Sequence, residues 1–150
     1  MRVVIQRVSE ASVSINQVVK AKIGLGFLVL VGIEEEDNQT DIDWICQKII
    51  GLRIFSDENG LMNLAIQEVK GEILIISQFT LHAQTKKGNR PSFIKAAKPN
   101  VAVPIYENTI AVLEKLLGKK IQTGEFGADM QVSLVNDGPV TILIDSKNKE

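Results

Sequence analysis

Two short segments, far apart in the chain, place polar groups where apolar runs end. Ser77-Gln78-Phe79-Thr80 follows the apolar run Ile73–Ile76, and Asn136–Thr141 separates two apolar runs later in the sequence. The first segment carries two hydroxyls and an amide. The second carries Gly138-Pro139, whose backbone has unusual freedom at glycine and a fixed φ at proline. Polar and conformationally unusual groups at the ends of apolar runs are the first candidates for chemistry in this chain.

Side chains that perform strong acid–base or metal chemistry are scarce. The single histidine, His82, and the single cysteine, Cys46, cannot together provide a zinc site made of these residue types. A carboxylate-only magnesium site stays open, but no clustered acidic motif accompanies the polar segments. The chain has no Gly-x-Ser-x-Gly motif, and Gly24-Leu25-Gly26 opens a predicted strand instead of a helix. We therefore expect an enzyme that needs no metal, no cofactor and no serine triad.

Basic residues concentrate beside the first polar segment. No acidic residue occurs between Ile73 and Tyr106, whereas Lys86, Lys87 and Arg90 lie there. The formal net charge of −1 argues against a non-specific nucleic-acid binder, and we expect no DNA partner. A local basic loop is nevertheless suited to contact a phosphate backbone. The alternative is a solvated loop that only favours solubility.

The composition is that of one ordinary globular domain spanning residues 1–150. Hydrophobic residues make up 45% of the chain and charged residues 23%. No apolar stretch reaches the roughly 20 residues that cross a bilayer. The first residues enter a strand pattern directly, without the apolar core of a signal peptide. We expect a cytoplasmic protein with no membrane partner.

Hydrophobic periodicity predicts an α/β domain of about seven mostly antiparallel strands layered with two helices. The strands are predicted at residues 2–8, 11–15, 18–22, 26–33, 73–81, 129–136 and 140–145. The first helix is predicted from a Thr40 cap to about Gly51, and the second over residues 101–117 with Gly118 as its C-cap.

A strand over 73–81 would give its polar residues two opposite faces. Ser77 and Phe79 would point one way, and Gln78 and Thr80 the other, because successive side chains alternate across a strand. His82 would then share a face with Thr80 and is a geometric candidate for its base. A lone histidine at a strand exit is more typical of a satisfied surface group, which is the interpretation we favour.

Four segments in order closely resemble the D-aminoacyl-tRNA deacylase family: Met1–Val8, Ser77–Leu81, Lys87–Phe93 and Asn136–Thr141. The resemblance runs from Met1 to Asp145, nearly the whole chain. It implies β-sheets set against a helical layer in a homodimer. It also implies hydrolysis of the ester that joins a D-amino acid to the 3′-terminal ribose of tRNA, with glycyl-tRNA as an additional substrate.

The resemblance assigns roles to particular residues of this chain. It implies an active site made of Ser77, Gln78, Phe79 and Thr80, where main-chain groups hold the ester carbonyl and the RNA 2′-hydroxyl assists. It implies that Gly138-Pro139 is a cis pair that reaches into the partner subunit's site and rejects L-amino acids.

Six further residues receive roles from the resemblance and also have structural alternatives. By the same resemblance, Arg7 braces the Gly138-Pro139 loop, although it could equally be a surface arginine on an edge strand. Ala102 and Met130 line a pocket for the terminal adenosine together with Phe79, although such residues also suit a core. Lys86, Lys87 and Arg90 are the expected contacts to the acceptor end of the tRNA.

Two other functional classes remain open. The chain could be a non-catalytic tRNA- or protein-binding module, which release of free amino acid from D-aminoacyl-tRNA would exclude. It could also be a hydrolase of unrelated small esters that uses Thr80 with His82 as base. Replacement of His82 by alanine would abolish that second activity and largely spare one assisted by the 2′-hydroxyl.

Overall fold

Eight strands and two α-helices follow one another in the computed structural model, which describes residues 1–150. The strands are β1 (Arg2–Ile15), β2 (Val18–Ile23), β3 (Gly26–Gly32), β4 (Phe55–Ser56), β5 (Met62–Leu64), β6 (Glu72–Ser77), β7 (Gln122–Thr123) and β8 (Gln131–Asp145). The helices are α1 (Gln39–Gly51) and α2 (Pro99–Leu117), and a 3₁₀ turn spans Phe79–His82. The predicted α/β class with two helices is confirmed.

One large sheet organises the domain, in the order β2-β1-β3-β6-β7, with β8 also paired to β1. β1 is antiparallel to β2, β3 and β8, whereas β6 is parallel to both β3 and β7. β4 and β5 form a separate antiparallel hairpin. Antiparallel pairs prevail as predicted, but the parallel group β3-β6-β7 gives three strands a common direction.

The strands predicted separately at 2–8 and 11–15 are one continuous strand, and β8 likewise joins 129–136 with 140–145. The pairing of β1 with β8 shifts in the middle: Gln6 lies opposite Thr141, and Val8 lies opposite Asn136. The single residue Arg7 therefore faces the four residues 137–140. This excess of chain makes a loop within β8, which is a large irregularity of the kind that re-aims a strand.

Both faces of the central strands are buried. On β3, Phe27 and Val29 join the larger core cluster under the helices, while Leu28 joins the smaller cluster on the opposite face. On β6, Ile75 belongs to the first cluster and Leu74 to the second. A strand that is buried on both faces has a continuous run of apolar residues in its sequence. The prediction of two central strands is therefore confirmed for these segments.

The predicted strand over 73–81 is wrong beyond Ser77. The Gln78 N–H still donates to the Val31 carbonyl at 2.7 Å, but the next residues fold into the 3₁₀ turn. Residues 79–82 therefore do not alternate across a sheet. Thr80 and His82 are two residues apart in a helical turn, where residues three apart share a side, so they do not share a face.

The helices begin earlier than the sequence predicts. α1 is capped by Asn38, whose side chain accepts from the Thr40 N–H at 2.9 Å, so Thr40 is inside the helix and is not its cap. The Asp41 side chain closes a capping box with Asn38. α2 starts at Pro99 and ends at Leu117, and Gly118, with a φ of 79°, is the left-handed C-cap predicted there. Neither helix combines the length and apolar character needed to cross a membrane.

Asp41 also fastens the last residues of the chain to the start of α1. Its Oδ2 accepts from the Asn38 N–H at 3.0 Å and from Lys147 Nζ at 2.7 Å. Burial raises the pKa of the Asp41 carboxyl, but the hydrogen bonds from Lys147, Ser146 and Asn38 outweigh it and lower the pKa to about 2. A carboxyl with a lowered pKa stabilises the fold above its unfolded-state pKa, and this contribution is lost as the pH falls through the folded-state value.

We predict that Asp41→Asn lowers the free energy of unfolding by roughly 2 kcal/mol at neutral pH, since a shift from 3.8 to about 2 is worth that much. The difference from wild type should narrow as the pH falls from 4 toward 2. Urea unfolding at a series of pH values measures it. Asp43→Asn is the matched control, because Asp43 lies in the same helical turn with an exposed side chain. A deficit that stays constant with pH would contradict the prediction.

Candidate active site

The carboxyl ends of β3, β6 and β7 meet at one edge of the sheet because these strands are parallel. A cavity of about 310 Å³ opens there, within the size range of small-molecule sites. Its walls are mainly apolar and come from the ends of β3 and β6, from α2 and the residues before it, and from the start of β8 and the segment before it. The lining residues are Val31, Ile33, Ile76, Ser77, Gln78, Phe79, Ala97, Ala102, Phe126, Gly127, Ala128, Asp129, Met130 and Val132.

The structure brings five of the predicted site residues together in this cavity: Ser77, Gln78, Phe79, Ala102 and Met130. Thr80 is not part of the lining, but its Oγ1 accepts a hydrogen bond of 2.5 Å from the Gln78 side-chain amide. Ala102 is buried in the first turns of α2, and Met130 lies directly before β8. Residues from three distant parts of the sequence thus share one wall.

The 3₁₀ turn presents backbone donors beside the cavity. Its first internal hydrogen bond runs from the Leu81 N–H to the Gln78 carbonyl at 3.2 Å. The N–H groups of Phe79 and Thr80 precede this bond, and the first N–H groups of a helical turn have no partner within it. Two neighbouring amides near a substrate-sized cavity are the arrangement that stabilises an oxyanion.

Aromatic and basic groups extend the site beyond the cavity. The Phe79 ring is 57% exposed and meets the Phe93 ring edge to face, with ring centroids 5.1 Å apart. The loop before Phe93 is closed by two hydrogen bonds between Gln84 and Ser92, of 2.8 and 3.0 Å. This loop carries Lys86, Lys87 and Arg90, which are exposed and form no salt bridge.

Residues 126–129 form a cavity wall that was not predicted from the sequence. Gly124 lies below this wall, and a Cβ there would lie 2.5 Å from the Met130 sulfur, so a larger residue would displace the Met130 side chain. Asp129 brings the only charged side chain among the lining residues. The available signal was the pair Gly124 and Gly127 on either side of Phe126, a spacing typical of a tightly folded loop.

His82 is buried, which corrects its interpretation as a surface group. It is 2% exposed, and its Nδ1 lies 2.9 Å from a carboxylate oxygen of Glu34. That contact is short enough for an ion pair, but its angle lies outside hydrogen-bond geometry, and Nε2 has no polar partner either. In particular, His82 makes no hydrogen bond to Thr80. The nucleophile–base contact that a Thr80–His82 hydrolase requires is therefore missing.

The loop inside β8 is fixed by a buried arginine. Arg7 is 8% exposed, and its guanidinium donates to the carbonyls of Asp137 at 3.1 Å and Ile54 at 2.5 Å. The Asn136 side chain closes the base of the loop by donating to the carbonyls of Arg7 and Val140. Arg7 is thus not a surface arginine on an edge strand, because β1 is paired on both sides.

Gly138 and Pro139 form the exposed tip of this loop, and the peptide bond between them is cis. Gly138 has a φ of 126°, and a Cβ at this position would lie 2.9 Å from both Arg7 and Val140. A glycine is therefore required. Neither residue lines the cavity of its own chain.

The buried thiol and phenol are structural groups. Burial raises the pKa of Cys46 to about 12, consistent with the inert core thiol that its helical position predicts. Burial also raises the pKa of Tyr106 to about 12, and its hydroxyl donates to the Ile75 carbonyl at 3.1 Å. No group of three or more His, Cys, Asp or Glu side chains is arranged to hold a metal ion.

Solved structures share this architecture. A protein described as c-Myc DNA Unwinding Element Binding Protein superposes with a TM-score of 0.90 at 40% identity, covering 97% of this chain and 98% of the other. A probable eukaryotic D-amino acid tRNA deacylase superposes with a TM-score of 0.82 over 95% and 97% of the two chains. Its identity of 18% shows a common fold alone.

Sequence relatives match over the full length. The D-aminoacyl-tRNA deacylase of Flavobacterium psychrophilum is 64% identical over 150 residues, and that of Bacteroides thetaiotaomicron is 65% identical over 150 residues. Each alignment covers 100% of both chains. A family model described as D-Tyr-tRNA(Tyr) deacylase matches residues 4–145. The resemblance predicted from four sequence motifs is confirmed, and the chain belongs to the D-Tyr-tRNA(Tyr) deacylase family.

Proposed function

We propose that this protein hydrolyses the ester bond of D-aminoacyl-tRNA and releases free D-amino acid and tRNA, as a step of chiral proofreading in translation. Its family and its full-length relatives, which are named as D-aminoacyl-tRNA deacylases, support this reaction. The structural observation that carries the proposal is the cavity at the ends of the parallel strands. It joins Ser77, Gln78 and Phe79 beside backbone amides that have no partner within their turn.

The reaction asks for positioning more than for strong acid or base groups. An aminoacyl ester is already activated by its α-ammonium group and by the neighbouring 2′-hydroxyl of the ribose. In our proposal, the N–H groups of Phe79 and Thr80 bind the carbonyl oxygen as it becomes negative, and the 2′-hydroxyl assists the attacking water. The Thr80 hydroxyl accepts from Gln78 and has no base beside it, so it orients the site without acting as a nucleophile.

The terminal adenosine of the tRNA occupies the apolar part of the cavity in this proposal. Ala102 and Met130 supply its walls, and the exposed ring of Phe79 offers a face on which a base can stack. Stacking on one aromatic ring is worth about 1–3 kcal/mol. The free charges of Lys86, Lys87 and Arg90 lie on the loop that follows the Phe79–His82 turn, where they meet the phosphates of the acceptor end.

Chiral selection acts by exclusion in a homodimer. The loop tip Gly138-Pro139 is exposed, fixed from within by Arg7 and absent from the cavity of its own chain, which supports its use in the site of a partner. There its rigid backbone collides with an L side chain, whereas a D side chain points to solvent. Glycine has no side chain to reject, so glycyl-tRNA mischarged on other tRNAs is an additional substrate.

The remaining classes fit less well. A Thr80–His82 esterase lacks the hydrogen bond between its two groups. A binding module without activity has no use for the unpaired amides of Phe79 and Thr80. We do not extend DNA binding from the neighbour whose description mentions it, because the formal net charge here is −1. Because charged tRNA is its substrate, we propose that the protein acts in the cytoplasm.

Replacement of Thr80 by alanine tests whether its hydroxyl takes part in the reaction or whether backbone amides suffice. Wild-type protein should deacylate D-aminoacyl-tRNA and leave the matched L-aminoacyl-tRNA largely intact. Thr80→Ala should lose at most about tenfold in rate, or ~1.4 kcal/mol of barrier, because its hydroxyl is not the nucleophile. Single-turnover release of labelled amino acid measures both. A loss of several orders of magnitude in a folded variant that still binds tRNA would identify Thr80 as a nucleophile.

Two complementary variants test whether the Gly138-Pro139 loop acts in the active site of the partner subunit. Gly138→Ala should disable the loop, because the added Cβ meets Arg7 and Val140. Ala128→Trp should fill the half-exposed rim of the cavity and disable the site in its own chain. Each variant alone should be inactive. After unfolding together and refolding, the mixture should recover about a quarter of wild-type activity, because only mixed two-fold dimers hold one intact site with one intact loop.

The control is a parallel refolding of each variant alone, with the solution mass of every sample measured. A mixed sample without recovered activity, although mixed dimers form, would show that the loop serves its own chain. A fully active monomeric species would exclude any role for a partner subunit.

A further inference from the structure

His82 is a buried titratable group that the proposed reaction does not use. It is the last residue of the 3₁₀ turn whose first residue is Phe79. Its Nδ1 faces the Glu34 carboxylate at 2.9 Å, and its Nε2 has no polar partner in the protein. A buried nitrogen without a partner costs free energy, so its retention needs an explanation.

The ring fits a space made by the end of β3. A Cβ on Gly32 would lie 3.0 Å from Cδ2 of His82 and 3.0 Å from Cβ of Leu81, so the turn packs directly on the backbone of β3. Arg2 reaches the same turn from β1 and donates to the Leu81 carbonyl at 2.8 Å. The second half of the turn is therefore held by three separate contacts, to Gly32, Glu34 and Arg2.

Glu34, which faces His82, also contacts another segment that lines the cavity. It pairs with Ala96 in an isolated β-bridge, and the neighbouring Ala97 N–H donates to the Ile33 carbonyl at 2.8 Å. Both Ile33 and Ala97 line the cavity. The Glu34 backbone N–H donates to Asp37 at 2.8 Å, which fixes the residue that faces His82. Glu34 thus contacts the turn through its side chain and the segment that contains Ala97 through its backbone.

We propose that His82 is a positioning residue, which acts through its contact with Glu34 to hold the Phe79 and Thr80 amides at the distance from the cavity that the reaction requires. This inference rests on the proposed function, because those amides are the groups that bind the ester carbonyl. A four-residue turn is short, so displacement of its last residue moves its first. A misplacement of about 1 Å at such a site can cost on the order of a hundredfold in rate.

The kinetic test uses a set of variants of the two residues. His82→Leu keeps the approximate volume and removes the polar contact, so kcat for D-aminoacyl-tRNA should fall by about tenfold while KM changes little, in contrast to the largely spared activity that the sequence alone predicts for loss of this side chain. His82→Asn keeps a polar side chain facing Glu34 and should restore most of kcat. Glu34→Ala should match the loss of His82→Leu, and the double variant should lose no more than either single variant, since both break one contact.

Thr109→Val is the matched control for a purely structural loss. Thr109 is as buried as His82, but its hydroxyl donates within α2 to the Ile105 carbonyl, away from the turn. This variant should lower the urea midpoint and leave kcat unchanged. Wild-type kcat in folded His82→Leu, an altered KM alone, or losses that add in the double variant would overturn the proposal.

A second measurement keeps the inference separate from the proposed function. In two-dimensional ¹H–¹⁵N NMR spectra, the amide signals of Phe79 and Thr80 should shift in His82→Leu and in Glu34→Ala and stay in place in Thr109→Val. Unchanged amide signals would overturn the positioning role even if the enzyme is active. A wild-type protein that releases no amino acid from D-aminoacyl-tRNA would overturn the proposed function, while the spectra would still decide whether His82 positions the turn.

Discussion

The site depends on one constraint, the parallel pairing of β6 with β3 on one side and β7 on the other. Parallel strands release the chain at the same edge, and ligands of such sheets bind outside their carboxyl ends. The β3–β6 pair is unusually close at its start, since a Cβ on Gly26 would lie 1.9 Å from the Glu72 carbonyl oxygen. That glycine sets the register in which Val31 faces Ser77 and the turn begins just beyond.

In our proposal, a site built this way uses backbone amides where other hydrolases use reactive side chains. The Thr80 hydroxyl is bonded to Gln78, and His82 is enclosed beside Glu34, so neither is available as a nucleophile–base pair. Backbone amides need no pKa adjustment, but their direction is set by every contact that holds their turn. If the amides act as we propose, the rate is sensitive to packing residues that never touch substrate, and contacts to β1 and β3 do converge on this one 3₁₀ turn.

Hydrophobic sequence patterns predicted the elements whose formation depends mainly on residues close together in the chain. Continuous apolar runs predicted the central strands, and three- and four-residue spacing predicted the buried face of α1. The strand prediction failed at residues 79–82. Phe79 and Leu81 continue the apolar alternation of a strand, but the chain folds there into a 3₁₀ turn that packs on Gly32. The burial of His82 likewise depends on Gly32 and Glu34, nearly fifty residues earlier. Motif resemblance supplied Ala102 and Met130, which no periodicity relates to Ser77, whereas the 126–129 wall has only the glycine spacing of a tight loop to indicate it.

The loop inside β8 has the internal support that our proposed selection by shape requires. Burying an arginine is costly unless its donors find partners, and Arg7 places Nε on the Asp137 carbonyl and carboxylate and Nη1 on the Ile54 carbonyl. A turn that only reverses or bulges a strand needs no such support, because its tip is solvated. The support becomes useful if the tip must resist a collision. A flexible loop, or a side chain free to change rotamer, would move aside for an L-amino acid, so a braced backbone is the form that a steric test of chirality requires.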